Sequence, residues 1–116
     1  MKQEDKELLL KDLCARLPYN CRVFYEYVDD LDGKTYGYSL TLNTWCIDEF
    51  VANKAVIKPY LRPMSSISSL ISAKEWTSLS DIDLIDWYNA NHIDYRGLIP
   101  KGLAIEVTEE NNPYKE

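Results

Sequence analysis

The clearest indication of the fold comes from residues 21–42, CRVFYEYVDDLDGKTYGYSLTL. In both halves of this stretch apolar or aromatic side chains alternate with polar ones, and alternate positions of a β-strand lie on the same face. Between the halves, Asp32-Gly33 is typical of a tight turn whose backbone twist matches that of paired strands. The pattern predicts an antiparallel hairpin of strands 21–28 and 35–43, with a positive φ at Gly33. The residues expected to share one face are Val23, Tyr25 and Tyr27 in the first strand and Tyr36, Tyr38, Leu40 and Leu42 in the second.

The segment before the hairpin has the period of an amphipathic helix. Apolar side chains recur at i, i+3, i+4 and i+7 within residues 4–17, and Pro18 follows, where it cannot continue a helix. We therefore expect a helix over residues 4–17 that packs its apolar stripe on the sheet. The stripe consists of Leu10, Leu13, Cys14 and Leu17, and it is widened by Leu9.

Short segments after the hairpin predict that it extends into an antiparallel sheet. Residues 45–50 and 55–61 are rich in apolar and aromatic side chains, which favour strands. Pro59 has no amide hydrogen for a ladder, so the second of these strands is expected to lie at a sheet edge or to end near Lys58. A last short strand is predicted over residues 103–107.

The second half of the chain carries start signals for helices. Ser72 stands three residues before Glu75, and Ser80 stands three residues before Asp83. Both pairs have the spacing at which a serine side chain caps the first turn of a helix. The helix that follows Ser80 is expected to run to about Asn91.

The order of these elements is typical of an α+β fold. We predict an N-terminal helix, an antiparallel sheet of three to five strands, and one or two C-terminal helices packed on one face of it. Residues 1–107 form the predicted single domain, and residues 108–116 are expected to be a polar, frayed tail. The predicted core residues are Leu10, Leu13, Leu17, Val23, Leu40, Leu42, Ile57, Ile85 and Trp87.

Charge and cysteine usage restrict the class of function. The chain has 19 acidic and 13 basic residues and a formal net charge of −6. Nucleic-acid binding depends on clustered Lys and Arg, so no nucleic-acid partner is expected. Cys14, Cys21 and Cys46 form no CxxC pair and are odd in number, which predicts reduced thiols in a cytoplasmic protein. No secretion signal and no apolar run of roughly 20 residues is recognisable, so no membrane association is expected.

Three segments of the chain resemble one protein family. They are LKDLCARLPY at residues 10–19, KPYLRPMSS at residues 58–66 and DYRGLI at residues 94–99. They are similar, in this order, to segments of a family of small uncharacterised proteins carried by phages and mobile elements of anaerobic gut bacteria. The resemblance runs from near residue 4 to about residue 107, which is most of the chain, and it departs after Ser66, where the family has a Glu-rich run. It implies an accessory protein in the cytoplasm of a bacterial host, and it implies no activity and no functional residues.

Few residues are suited to catalysis or to holding a cofactor. His92 is the only histidine, and Asp94 could orient its ring, which keeps a small hydrolase as the weakest functional alternative. A histidine at the end of a helix more commonly binds backbone carbonyls or interacts with the helix dipole. The cysteines and the histidine do not have zinc-site spacing, and the four glycines form no phosphate-binding motif, so no metal and no cofactor is expected.

A basic and aromatic stripe is the main candidate for a binding site. Lys58, Tyr60 and Arg62 alternate along one predicted strand, and Arg96 lies in the loop of residues 94–102. An arginine fork beside a tyrosine ring suits a carboxylate or a phosphate. The alternatives are that the basic residues protect a sheet edge from pairing and that Arg96 clamps the fold.

The sequence favours a non-enzymatic interaction module that acts on a host or phage protein. Its 9 Tyr and 3 Trp residues support this interpretation, because Tyr and Trp anchor many protein interfaces. The alternative is a small-ligand binder that sequesters an anionic metabolite or a nucleotide signal through Lys58, Tyr60, Arg62 and Arg96.

Overall fold

The predicted hairpin is present and forms one side of the sheet. The computed structural model describes residues 1–114, and in it β1 (Arg22–Val28) pairs antiparallel with β2 (Thr35–Thr41). The register runs without interruption from one end of this pair to the other. Gly33 has a φ of 69°, which confirms the predicted turn.

Two more strands extend the sheet, whose order is β2-β1-β3-β4. β3 (Val56–Leu61) pairs antiparallel with β1, and β4 (Ile105–Glu106) pairs parallel with β3. The expectation that β3 would be an edge strand or end near Lys58 is wrong, because β3 continues through Pro59, which lies opposite Val23. β4 pairs only with the two residues after Pro59. Pro59 therefore has a neighbouring strand, β1, on one side only. A residue with one unpaired side tolerates the missing amide hydrogen.

Helices precede, interrupt and follow these strands. An N-terminal helix, a mixed but mostly antiparallel sheet and C-terminal helices confirm the predicted α+β class. The helices are α1 (Gln3–Arg16), α2 (Thr44–Val51), α3 (Ile67–Leu70), α4 (Ala73–Thr77) and α5 (Asp81–Ala90).

Helix α2 occupies the segment where the sequence predicted a strand over residues 45–50, so that prediction is wrong. Asn43 caps the helix, because its side-chain oxygen accepts a hydrogen bond from the Cys46 amide at 2.9 Å. Cys46 and Phe50 are four residues apart, so they lie on one helix face, and both are buried. The cap and the buried face outweigh the strand propensity of the aromatic residues.

Helix α1 is confirmed, but it buries a different face from the predicted one. Leu9 and Leu13 are fully buried, whereas Cys14 of the predicted stripe is exposed. The other members of the buried face are Asp12 and Arg16, each with no exposed surface. This set also has the spacing i, i+3, i+4 and i+7, shifted by one residue. Hydrophobicity could not select it, because half of its members are charged.

The serine caps of the C-terminal helices are confirmed. Ser72 and Ser80 each accept a hydrogen bond from the amide three residues later, at 3.2 Å. Helix α5, which contacts α1, buries Tyr88 and Asn89. Ile85, which we predicted in the core, is instead 42% exposed.

The core lies between helices α1 and α2 and one face of the sheet, which we call the inner face. Side chains from α1, β1, α2 and β3 meet there. The predicted core residues that are buried are Leu13, Val23, Leu42 and Ile57. The predicted core residues that are half-buried are Leu10, Leu17, Leu40 and Trp87.

Residues 108–114, which belong to the predicted frayed tail, are attached to the sheet at Tyr114. The last two residues of that predicted tail, 115–116, lie outside the described residues. The Tyr114 hydroxyl accepts a hydrogen bond from the Arg22 amide at 2.9 Å and donates one to the Tyr60 carbonyl at 2.7 Å. Its ring stacks on that of His92, with 4.0 Å between the ring centroids. One side-chain hydroxyl thus bridges β1 and β3 just beyond the last residues that pair, Val23 and Pro59.

Candidate functional site

The predicted binding residues Lys58 and Tyr60 share the outer face of the sheet, opposite α1 and α2. Their neighbours Pro59 and Leu61 point into the core and are buried, so the predicted alternation is correct. The Tyr60 hydroxyl is 2.8 Å from the Ser39 hydroxyl, and both side chains stand on the outer face. This hydrogen bond joins Tyr60 of β3 to Ser39 of β2 across the intervening strand β1. Lys58, on the same face, is half-buried.

Arg62 is engaged within the fold. Its guanidinium donates to the Asn91 carbonyl at 2.7 Å and lies over the Tyr114 ring, 5.2 Å from the centroid. The Arg62 amide also donates to the His92 carbonyl at 2.7 Å. Arg62 therefore joins the end of β3 to the end of α5 and to the C-terminal segment.

Arg96 is also engaged, but with a different partner. Its Nε lies 3.1 Å from the Asp12 carboxylate, and its Nη2 donates to the Tyr95 hydroxyl at 2.9 Å. The backbones of the two arginine segments do meet, in a bridge between Arg62 and Ile93. The guanidinium groups nevertheless bind separate internal acceptors, so the geometry favours the predicted clamp over a shared anion pocket.

Asp12 is the centre of a buried ionic cluster that sequence reasoning missed. The Asp12 carboxylate lies 2.8 Å from Nε of Arg16, and both side chains are fully buried. Arg16 also donates to the Ile93 carbonyl at 2.5 Å and lies over the Tyr95 ring. The only sequence signal was their i, i+4 spacing, which many solvent-exposed pairs share.

His92 is buried next to positive charges. Its backbone has a φ of 58°, and its Nδ1 has no hydrogen-bond partner among residues 1–114. Burial, together with the charges of Arg62 and Arg16, lowers the pKa of His92 to about 4. Asp94 does not orient the ring, because its carboxylate accepts hydrogen bonds from two backbone amides, those of Leu98 and Ile99.

Cys21, which contacts Tyr114 as His92 does, is poorly suited to act as a nucleophile. It is buried beside the Tyr114 hydroxyl, at 3.5 Å, and burial raises the pKa of Cys21 to about 11. A thiol that keeps its proton at neutral pH is a weak nucleophile. All three cysteines are unpaired, as predicted.

A connected set of aromatic rings lies on the inner face of the hairpin and at the start of α2. We call it the hairpin aromatic patch, and it consists of Tyr25, Tyr27, Tyr36, Tyr38 and Trp45. The Tyr25 ring stacks on Trp45 with centroids 4.9 Å apart and lies 5.3 Å from Tyr38. Tyr27 and Tyr36 are paired across the strands, with centroids 6.0 Å apart.

Exposure increases across this patch from the first strand to the second. Tyr25 is 6% exposed, whereas Tyr36, Tyr38 and Trp45 are 42%, 44% and 46% exposed. The cause is positional, because β2 is the edge strand of the sheet and has a neighbouring strand on one side only. The exposed rings of Tyr38 and Trp45 therefore pack against the buried ring of Tyr25, and their other sides are accessible to solvent.

The hairpin and helix α2, which carry the patch, have an excess of acidic residues. Between Arg22 and Val51 the chain has six acidic and two basic residues, so this stretch has a net charge of −4 out of −6 for the whole chain. The Tyr36 hydroxyl donates to the Asp32 carboxylate and lowers the pKa of Asp32. Burial and the Glu49 carboxylate raise the pKa of Tyr25.

An open cleft of about 800 Å³ adjoins the patch on the side of α1 and the end of α2. Its lining has both signs of charge, from Lys6, Glu26, Glu49 and Lys54. Lys6 is already held by the Val51 carbonyl and by Asn53. The cleft therefore presents no concentrated positive charge for an anion.

The other tryptophans serve the fold. Trp76 of α4 lies 5.5 Å from Trp87 and 5.6 Å from Tyr88 of α5. Tyr88 in turn stacks on Tyr95 at 5.2 Å. These rings join the two helices to the loop that carries Arg96, and both tryptophans are half-buried.

Comparison of the chain with protein-family models, with curated proteins and with solved structures finds no match. In the part of the chain that the structure describes, no helix is long and apolar enough to cross a membrane. Residues 1–114 also contain no group of three or more His, Cys, Asp or Glu side chains placed to hold a metal ion. The candidate site therefore rests on the geometry of the hairpin aromatic patch.

Proposed function

We propose that the protein is a non-enzymatic interaction module that binds a host or phage protein through the hairpin aromatic patch. One observation carries the proposal: five aromatic rings form a connected layer, and three of them are more than 40% exposed. Aromatic residues are enriched at the centres of protein interfaces. Rings that are already packed against one another lose little conformational entropy when a partner covers them.

The context of the proposal is the cytoplasm of a bacterial host. It is supported by the three unpaired cysteines and by the resemblance to small proteins of phages and mobile elements. The alternative of a binder for a small anion has weaker support, because Arg62 and Arg96 are engaged by Asn91 and Asp12.

The test is affinity capture from host lysate with a matched pair of variants. The double substitution Tyr36→Thr and Tyr38→Thr removes two exposed rings and keeps residues that favour strands. The control is Ile82→Ala, which removes a 77% exposed apolar side chain from α5, away from the patch. Circular dichroism of each protein first checks that the fold is retained.

We expect a partner protein that the unmodified protein and the Ile82→Ala variant capture equally and that the double variant loses. Quantitative mass spectrometry of the captured proteins measures the difference. A partner retained at full yield by the folded double variant would contradict the assignment of the binding surface.

A further inference from the structure

We infer that the free edge of β2 binds an extended, basic segment of the partner protein as an additional antiparallel strand. This inference rests on the proposed function and names the chemistry of the partner. Three observations carry it, namely the hydrogen-bonding groups of the β2 edge, the absence of edge protection in β2, and the acidic, aromatic surface beside it.

The β2 edge presents a regular row of backbone groups. β2 is the outermost strand on its side of the sheet. The Asp29 amide donates to the Lys34 carbonyl and the Leu42 amide donates to the Cys21 carbonyl, so these pairs belong to the hydrogen-bonded series of the ladder. Hydrogen-bonded and non-hydrogen-bonded pairs alternate. The residues whose N–H and C=O groups face away from β1 are therefore Thr35, Gly37, Ser39 and Thr41.

This edge lacks the features that usually prevent pairing with another chain. Natural edge strands are protected by Lys, by proline, by bulges or by being very short. β2 has seven residues, TYGYSLT, with no charge and no proline, and its register with β1 has no bulge. β4, at the other side of the sheet, has only two residues. A long, regular and uncharged edge next to exposed aromatic rings is suited to strand addition.

The charge of the hairpin favours a basic occupant. The net charge of −4 between Arg22 and Val51 attracts cationic side chains. Faces of Tyr and Trp rings also bind Lys and Arg cations. A second copy of this chain on the same edge would bring two stretches of −4 together, so like charges oppose that arrangement.

The spacing of the tyrosines predicts the pattern of the bound segment. Tyr36 and Tyr38 are two residues apart on the inner face, which corresponds to about 7 Å along a strand. An added strand has the same repeat, so its alternate side chains can lie over successive rings. We therefore expect Arg or Lys at alternate positions of the segment, facing Tyr36, Tyr38 and Trp45.

The test uses a fluorescein-labelled peptide of seven residues in which Thr and Arg alternate, measured by fluorescence anisotropy with the full-length protein. One control peptide has the same composition with its arginines adjacent, and another has Glu in place of Arg. We expect the alternating Arg peptide to bind, the adjacent-Arg peptide to bind about tenfold more weakly and the Glu peptide not to bind. Equal binding of the two Arg peptides would overturn the inference.

N-methylation of the peptide backbone tests strand addition itself. In an antiparallel pair, residues that face each other across hydrogen bonds have their side chains on the same side of the sheet. If Arg lies over the inner face, the Thr amides point at β2 and the Arg amides point away from it. N-methylation at Thr should therefore abolish binding, whereas N-methylation at Arg should leave it within about twofold. Equal or reversed effects would overturn the inference.

Protein variants connect the peptide to the patch. The Tyr36→Thr and Tyr38→Thr double variant should weaken peptide binding about tenfold, since it removes two cation–π contacts, and Ile82→Ala should not change it. Sedimentation of the unmodified protein as a dimer held by β2 would assign the edge to a second copy and overturn the inference. If the double variant loses a captured partner but the unmodified protein binds none of the peptides, the proposed function stands and this inference fails.

Discussion

Replacing Asp12 by Asn should destabilise the protein by about 3–5 kcal/mol. Asn is nearly isosteric with Asp, so the change removes charge and leaves the packing volume intact. Asp12 is fully buried, at 2.8 Å from Arg16 and 3.1 Å from Arg96. The substitution leaves the fully buried Arg16 cation without its counter-ion, and breaking a buried ion pair on one side costs about this amount. Since small domains are stable by only about 5–15 kcal/mol, the loss is a large fraction of the total.

Urea denaturation followed by tryptophan fluorescence measures the effect as a change in the midpoint at constant m-value. Asp86→Asn is the matched control, because Asp86 is exposed on α5, and it should change the free energy of unfolding by less than about 0.5 kcal/mol. Arg96→Ala should cost less than Asp12→Asn, because the Arg96 side chain is 17% exposed. A loss below about 1 kcal/mol for Asp12→Asn would show that the buried Arg16 cation does not depend on this carboxylate for its neutralisation.

Two further changes test the groups around the end of the sheet. His92 has a pKa of about 4 in the folded protein against an ordinary 6.5, so the unfolded chain takes up a proton between pH 6.5 and 4 that the folded chain does not. The free energy of unfolding should therefore fall as the pH is lowered through this window. The substitution His92→Asn keeps a residue that tolerates the φ of 58°, and it should make this fall shallower by up to about 1.4 kcal/mol per pH unit. Urea titrations at each pH measure the slope, and a slope equal to that of the unmodified protein would exclude this role for His92. Tyr114→Phe removes the hydroxyl that joins the Arg22 amide to the Tyr60 carbonyl, and it should lower the free energy of unfolding by about 1–3 kcal/mol. A urea-denaturation midpoint equal to that of the unmodified protein would show that this bridge does not contribute to stability.

Local signals in the sequence were sufficient for the hairpin and the helix caps. The alternation within residues 21–42 and the turn at Gly33 act between neighbours in the chain, so β1, β2 and the positive φ follow from them directly. The same holds for Ser72 and Ser80, whose side chains bind amides three residues away. Asn43 is an equally local signal for α2, but the aromatic residues of the same segment favour a strand, so the two local signals conflict there.

The roles of the arginines depended on contacts between distant parts of the chain. Arg96 binds Asp12 across 84 residues, and Arg62 binds Asn91 across 29 residues. Alternation along β3 correctly put Lys58 and Tyr60 on one face, but it carries no information on which acceptor a guanidinium will meet. Arginine side chains are long, and their partners are set by how the elements pack.

The alternation of residues in the hairpin is enough to place its tyrosines on one face, because the side-chain period of a strand is two residues. Which part of that face is covered depends on the packing of the whole chain. Helices α1 and α2 bury Val23 and most of Tyr25, whereas Tyr36 and Tyr38 stay exposed on the edge strand. A periodic pattern fixes the direction in which a side chain points, but burial requires a second surface, and the position of that surface is set by the packing of distant segments.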